Sequence, residues 1–367
     1  MLPDVSILST DLKISFQIAH FRYLCKKKFM IRFSENHNLK SYNTFGVDAN
    51  ARYFFEFTER EDLTVFLQSN ETWKDSPLLI LGGGSNMLFL KDFEGLIIHP
   101  NIPGIALIKE DRQNVWMEVG AGETWDEFVK HTVDYGLGGI ENLSLIPGNC
   151  GAAPVQNIGA YGQEVSETIE TVKGYDLRNN KPVEFSGEEC EFDYRCSIFK
   201  TRLKNKVIIT SVVFRLEKFP EFKLDYGLLG EKVKEKGKTN LHNVREAVIE
   251  IRTSKLPDVN ELGNAGSFFK NPVVDEKTGG ELKARYPDLP VYLAGEGKSK
   301  VAAGWLIDHA GWKGRREGDV GVHEKQALVL VNYGNATGQE IFNFSEKIKQ
   351  SVLHTFGVEL EREVNCV

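Results

Sequence analysis

Apolar and polar positions along this chain repeat with two different periods, and the switches between them outline its elements. Ala51-Arg52-Tyr53-Phe54-Phe55-Glu56-Phe57 is aromatic-rich and predicts a strand. From Thr58 to Ser69 the spacing of Leu63, Phe66 and Leu67 is helical. Pro77 to Leu81 predicts a buried strand running into Gly82-Gly83-Gly84-Ser85-Asn86. Leu88-Phe89-Leu90 and Leu96-Ile97-Ile98 read as strand-like around a turn at 91–95. Val115 to Glu123 is a further strand. Thr124-x-x-Glu127 then makes a capping box for a helix with Trp125, Phe128, Val129 and Val133 on one face and Gly136 as its stop. Val172–Leu177 and Val183–Phe185 predict a hairpin around Asn179-Asn180, and Val207–Leu216 a strand.

The second half changes texture. Glu217–Lys238 contains Leu224-Asp225-Tyr226-Gly227-Leu228-Leu229 and then a charge run that reads as a solvated face. Leu241–Arg252 predicts a helix with Val244, Val248 and Ile251 inward, broken at Lys255-Leu256-Pro257, which is a candidate domain border. Ser299 is expected to cap a helix carrying Val301, Trp305 and Leu306, and Gln326–Val331 to form a buried strand. Thr337-x-x-Glu340 is a second capping box, opening a helix with Ile341, Phe344, Ile348, Val352 and Phe356 that Gly357 ends. Val358–Val364 alternates as a last strand. Strands outnumber long helices without regular alternation, so the expected class is α+β.

At 367 residues, two or three domains are expected. The net charge of −7 and the lack of a domain-sized basic block argue against nucleic acid as a partner. Five cysteines without a Cys-x-x-Cys pair suit reduced thiols in a cytoplasmic protein. The histidines show no paired ligand spacing, so no metal site is expected, and no apolar run approaches membrane-spanning length. Residues 1–29 mix apolar residues with Lys26-Lys27-Lys28. They are read as a disordered extension or an upstream start before Met30.

Candidate chemistry lies in the small-residue stretches. A buried strand entering three glycines can converge backbone N–H groups on anionic oxygens. Met87 stands where a dinucleotide-binding fingerprint needs glycine, and no Gly-Lys-Ser/Thr follows, so neither standard nucleotide motif fits. Gly120-Ala121-Gly122 and the stretch from Pro147 to Gly162 are of the same kind. Together the three suggest one extended cofactor. Gly263-Asn264-Ala265-Gly266-Ser267-Phe268-Phe269-Lys270-Asn271-Pro272 sets a hydroxyl beside two aromatic rings and an amide. Taken alone, this stretch reads first as a loop entering a strand, with Phe268 or Phe269 in the core. Arg195 reads as a surface charge or a carboxylate-binding fork, and Glu363 as a solvated strand-end carboxylate.

Taken together, these motifs have a family likeness. Tyr42-Asn43-Thr44-Phe45-Gly46, Leu81–Asn86, Ile146-Pro147-Gly148, Gln156–Gly162, Tyr194-Arg195-x-Ser197-x-Phe199-Lys200 and Gly263–Pro272 are similar to those of the UDP-N-acetylenolpyruvoylglucosamine reductases of bacterial peptidoglycan synthesis. The resemblance runs from about Ile31 to Val364. It implies non-covalent FAD in a two-subdomain fold of the vanillyl-alcohol-oxidase type, a C-terminal α+β substrate domain, and NADPH as reductant. The subdomains would be 30–98 (with 358–367) and 99–218, followed by a tyrosine loop and connecting helix at 219–254 and a substrate domain at 255–357. Leu224-Asp225-Tyr226-Gly227-Leu228 resembles the tyrosine loop of the longer family class.

Hydride would pass from NADPH to flavin and on to the enolpyruvyl ether of UDP-N-acetylglucosamine enolpyruvate, giving UDP-N-acetylmuramate. By motif position Ser267 would donate the proton, with Arg195 and Glu363 at the substrate carboxylate. The flavin residues would be Gly82, Gly83, Gly84, Ser85, Asn86, Gly120, Gly122, Pro147, Gly148, Asn157, Gly159, Ala160 and Tyr161. Tyr226, Lys255 and Asn271 would meet the diphosphate, and Gln326 would line the substrate. Asn149-Cys150-Gly151-Ala152-Ala153 departs from the common pattern. A cytoplasmic monomer without nucleic-acid or membrane partners is expected. Two other readings stay open: an oxygen-using oxidase on the same cofactor fold, and a catalytically silent nucleotide-sugar binder.

Overall fold

The structure is a computed structural model that describes residues 32–69 and 76–367. The extension read at 1–29 lies outside the described residues. Strands β1 (Arg32–Asn38), β2 (Asn50–Phe57), β3 (Leu78–Ile80) and β4 (Phe93–Pro100) form one sheet in the order β1-β2-β4-β3. Its β2–β4 and β3–β4 pairs are parallel. Helix α1 (Arg60–Ser69) connects β2 to β3, and its Leu63 and Phe66 pack on Phe55, Phe57, Leu96 and Ile98. Strand β4 begins at Phe93, so the expected turn at 91–95 is shorter than read.

The second sheet is wholly antiparallel. Strands β5 (Ile105–Glu110), β6 (Asn114–Gly120), β7 (Ile169–Asp176), β8 (Lys181–Ser186) and β9 (Val207–Glu217) lie in the order β8-β7-β9-β6-β5. Helix α2 (Trp125–Asp134) buries Trp125, Phe128, Val129 and Val133 against it, the face read from the sequence. The capping box is not formed, because the Thr124 side chain makes no cap bond. The Trp125 N–H donates to the Gly148 carbonyl at 2.9 Å, tying the helix start to the 146–149 loop.

The charge run contains a helix that its composition hides. In α3 (Leu229–Glu235), Leu229 and Val233 pack on α4 (Leu241–Lys255), while Lys232 pairs with Glu235 and Glu250 on the outer side. Beyond Pro257, β10 (Gly263–Ser267) and three later strands make a third sheet, and a three-stranded sheet packs beside it. That smaller sheet orders β11 (Val273–Asp275), β12 (Val291–Leu293) and β13 (Lys298–Val301) as β11-β13-β12. Helix α5 (Glu276–Arg285) lies between β11 and β12.

Three expectations shift in this region. Ser299 sits inside β13, and α6 (Ala303–His309) starts only after Ala302, with the Asn271 Oδ1 accepting the Ala303 N–H at 3.0 Å. The strand expected at 326–331 runs as Val329–Asn332, because Gln326 opens a turn whose carbonyl accepts from Val329. Val358–Val364 alternates as read, with Val358, Leu360 and Val364 buried, yet it forms only a single bridge, from Arg362 to Phe269. Its neighbours there supply isolated bonds rather than a ladder. The chain then pairs Asn365–Cys366 with Met87–Leu88. The helix at Gly338–Phe356, here α7, keeps both bonds of its capping box, and Gly357 ends it in left-handed conformation.

Candidate active site

One short motif joins the glycine loop to the serine strand. Asn43 is buried, and its amide bonds the carbonyls of Leu39 (2.8 Å) and Val47 (2.9 Å) while accepting from the Val47 N–H, which fixes the turn. On one side Thr44 donates to the Gly84 carbonyl at 3.3 Å. Gly84 has φ +64°, and a Cβ there would collide with the Tyr42 carbonyl. On the other side Asn264 donates to the Thr44 carbonyl at 3.0 Å, and Phe45 meets Phe268 edge to face. The glycine loop and β10 are thereby held to one turn.

Strand β10 carries a bulge. Asn264 pairs with Val331 and Ser267 with Val329, so one extra residue stands between them, and Gly266 has φ +67°. The next two side chains, Phe268 and Phe269, are fully buried. Ser267 faces a cleft of about 570 Å³. Among the described residues its hydroxyl has no protein hydrogen-bond partner.

Arg195 and Glu363 reach the same cleft from two other segments. Arg195 has φ +54°, and its guanidinium donates to the carbonyls of Gly159 (2.6 Å) and Asn157 (3.3 Å). Its Nε lies 3.0 Å from Glu363 Oε1. Glu363 is held beside the serine strand because its N–H donates to the Phe268 carbonyl at 2.8 Å. Burial raises the Glu363 pKa, with Arg195, Lys200 and Lys270 opposing. The opposite wall is made by two glycine loops. Ser85 donates to the Pro147 carbonyl at 2.9 Å, and Asn86 bonds both Gln156 Oε1 (2.5 Å) and the Glu363 carbonyl (3.2 Å).

Residues 258–367 match the family model described as UDP-N-acetylenolpyruvoylglucosamine reductase, C-terminal domain, and residues 53–180 match an FAD binding domain. The chain is 48% identical over 335 residues to a UDP-N-acetylenolpyruvoylglucosamine reductase of Flavobacterium johnsoniae, covering 90% of this chain and 98% of that protein. A Pseudomonas aeruginosa protein of the same name is 43% identical, with 91% and 99% covered. The chain belongs to the UDP-N-acetylenolpyruvoylglucosamine reductases. The reductase from Thermus caldophilus, at 24% identity, shares the fold with a TM-score of 0.63 over 92% of this chain and 99% of that one. The fold class read from the sequence, an FAD-binding part followed by a C-terminal α+β part, is therefore the fold of this reductase family.

The residues that the reductase likeness singled out divide into two groups. Gly82, Gly83, Gly84, Ser85, Asn86, Pro147, Gly148, Gly159, Arg195, Ser267 and Glu363 line the cleft. The others do not. Gly120 and Gly122 face the 101–103 backbone, which a Cβ at either would strike, and only Ala121 between them reaches the cleft. Asn157 turns inward, donating to Glu164 (2.7 Å) and accepting from the Ser166 N–H (3.1 Å). Ala160 lies in a two-residue strand behind the cleft. Tyr161 packs its ring edge to face on Tyr226, itself 56% exposed. Lys255 ends α4 in solvent, Asn271 caps α6, and the Gln326 side chain accepts from the Leu328 N–H.

Three cations in the cleft escaped the sequence reading: Lys200, Lys204 and Arg252. Lys200 stood inside a quoted motif, but nothing in its spacing marked it. Burial and then the charge of Lys270 lower its pKa, and its Nζ donates to the Arg195 carbonyl at 3.2 Å. Arg252 was visible only as the end of a helix face. FAD fits these residues. The volume is that of a cofactor pocket, and the buried Arg252 Nε has no hydrogen-bond partner among the described residues.

Proposed function

We propose that this protein reduces the enolpyruvyl ether of UDP-N-acetylglucosamine enolpyruvate to UDP-N-acetylmuramate, with NADPH as reductant and FAD bound without a covalent link. When bound, FAD supplies two-electron chemistry, taking hydride from NADPH and passing it to the terminal enolpyruvyl carbon. The observation that carries the reading is the Arg195–Glu363 pair at 3.0 Å, in a cleft that Ser267 shares. Hydride addition leaves negative charge α to a carboxylate. Arg195, a fixed cation already oriented by two carbonyls, stabilises that charge. Ser267 gives its proton to the α carbon, and solvent reprotonates the serine. Glu363 is compatible with an anionic substrate because it is bridged to Arg195 and close to Lys200 and Lys270.

The same reading gives the 82–86 and 147–161 loops to FAD, with Gly120 and Gly122 shaping the strand end beside it. Tyr226, Lys255, Asn271 and Gln326 go to the UDP-sugar, with Tyr226 in a tyrosine loop. The two N-terminal sheets correspond to the FAD subdomains at 30–98 and 99–218, and the region beyond Lys255 to the substrate domain. Among the described residues no helix is long and apolar enough to cross a membrane. We assign the protein to the cytoplasm as a monomer.

An anaerobic titration followed by the visible spectrum tests the function. A yellow protein that bleaches with NADPH and regains colour with the enolpyruvyl UDP-sugar is the expected result. A colourless protein that FAD cannot reconstitute overturns the flavin reading. Bleaching without recovery of colour overturns the substrate assignment.

A further inference from the structure

Arg195 holds a backbone conformation that arginine seldom takes. It is the third residue of the turn Asp193–Cys196, whose ends exchange two bonds. The Asp193 N–H donates to the Cys196 carbonyl at 3.1 Å, and the Cys196 N–H to the Asp193 carbonyl at 3.0 Å. The φ of +54° at Arg195 lies in the left-handed region, which turns ordinarily give to glycine or asparagine. A long side chain stays there only where its surroundings impose the conformation.

The guanidinium is anchored on one side. Three of its five N–H groups are spent, on the carbonyls of Gly159 and Asn157 and on Glu363. One N–H on each terminal nitrogen remains for a substrate carboxylate. The backbone is anchored separately. Among the described residues the Arg195 carbonyl accepts a hydrogen bond only from the Lys200 Nζ, at 3.2 Å. Lys200 is partly buried and lines the cleft. The nearby carboxylates are committed elsewhere: Glu361 pairs with Lys270, and Glu363 with Arg195. An amine has N–H donors whether or not it is charged, so the bond to Arg195 needs reach rather than charge.

We propose that Lys200 is a positioning residue, which bonds the Arg195 carbonyl and so holds the left-handed backbone that keeps the Arg195 guanidinium in the cleft. The inference rests on the reductase reading above, in which Arg195 stabilises the charge left by hydride addition. Without Lys200 the Arg195 carbonyl has no protein donor, and the turn relaxes toward an ordinary conformation. The guanidinium then shifts against Glu363 and its two carbonyls. A displacement of about 1 Å in such a group costs on the order of a hundredfold in rate.

The test follows the two half-reactions separately, by anaerobic stopped flow on the FAD-loaded full chain. Wild type, Lys200→Met, Lys200→Arg, Arg195→Met and the double variant Lys200→Met/Arg195→Met are compared. Wild type that fails to bleach with NADPH, or to recolour with the enolpyruvyl UDP-sugar, would sink the reductase reading itself and shows before any variant is made. Lys200→Met is expected to bleach at the wild-type rate and to recolour about 10- to 100-fold more slowly. Lys200→Arg, which keeps a long donor side chain, is expected to restore most of that rate. In the Arg195→Met background, adding Lys200→Met should slow recolouring by less than about twofold, because a residue that acts through another has nothing left to position. Lys200→Leu, which also lacks a donor, replaces the Met variant if that one does not fold. Recolouring of Lys200→Met at the wild-type rate would overturn the proposal, as would equal slowing of both half-reactions. So would an undiminished loss in the Arg195→Met background, which would put Lys200 on the substrate itself.

Discussion

Replacing Ser267 with Ala separates chemistry from architecture in this protein. The Ser267 hydroxyl has no protein partner among the described residues, and its backbone bonds belong to a bulge that Ala also tolerates. Nothing in the fold is lost with the oxygen, so stability should change by no more than about 0.5 kcal/mol. Loss of a positioned proton donor typically costs about 10²–10⁴-fold in rate. At 1.36 kcal/mol per tenfold, that is a barrier higher by about 3–5 kcal/mol. The two half-reactions are measured separately by anaerobic stopped flow on the FAD-loaded variant. Bleaching by NADPH should keep its wild-type rate, and recolouring by the enolpyruvyl UDP-sugar should slow by that factor. Equal slowing of both half-reactions, or recolouring at the wild-type rate, would refute the proton-donor role.

Other perturbations test how the site is held. Asp126→Asn leaves Arg245 without its carboxylate in a place where their side chains are only 21% and 11% exposed. A loss of about 2–4 kcal/mol in urea unfolding is expected, with weaker FAD binding because Asp126 also anchors Leu145 before the Ile146-Pro147-Gly148 loop. Gly84→Ala should destabilise by more than Gly46→Ala. Both positions have φ +64°, but only Gly84 lies against a carbonyl that a Cβ would strike. The shared backbone strain is about 1–2 kcal/mol, and equal melting temperatures would contradict the argument. Burial alone would raise the Glu118 pKa, but hydrogen bonds from Lys173, Ser211 and Arg60 bring it down to about 2. Its folded pKa is thus depressed. The stabilisation, up to about 3 kcal/mol, is present above the ordinary value of 4.5 and is lost as pH falls towards 2. Glu118→Gln should flatten acid unfolding over that window.

Much of the architecture was legible locally. The Trp125 helix face, the Thr337 capping box and the hairpin at 172–185 depend on side-chain period and turn chemistry, which neighbours in sequence determine. Composition misled where a charged surface covered two buried residues, in Leu229–Glu235. It also misled at two helix starts: Thr124 makes no side-chain cap bond, and Ser299 lies inside a strand while Asn271 accepts the first N–H of the helix that follows. The glycine stretches were readable as backbone approach, but the sequence could not say what approaches. At Gly83 it is the 148–149 loop that comes close, and at Gly120 and Gly122 it is the chain's own 101–103 backbone.

By itself, the sequence determined the kinds of chemistry available: a serine, an arginine, a carboxylate and three glycine-rich loops in a family-like order. Only the tertiary structure decided that Ser267, Arg195 and Glu363 share one cleft, although Arg195 and Glu363 stand far apart along the chain, and that Lys200, Lys204 and Arg252 join them. The physical reason is that period and propensity act over a few residues. A buried charge, by contrast, takes its meaning from partners brought in by distant segments, such as the carboxylate that Arg195 finds and Arg252 lacks.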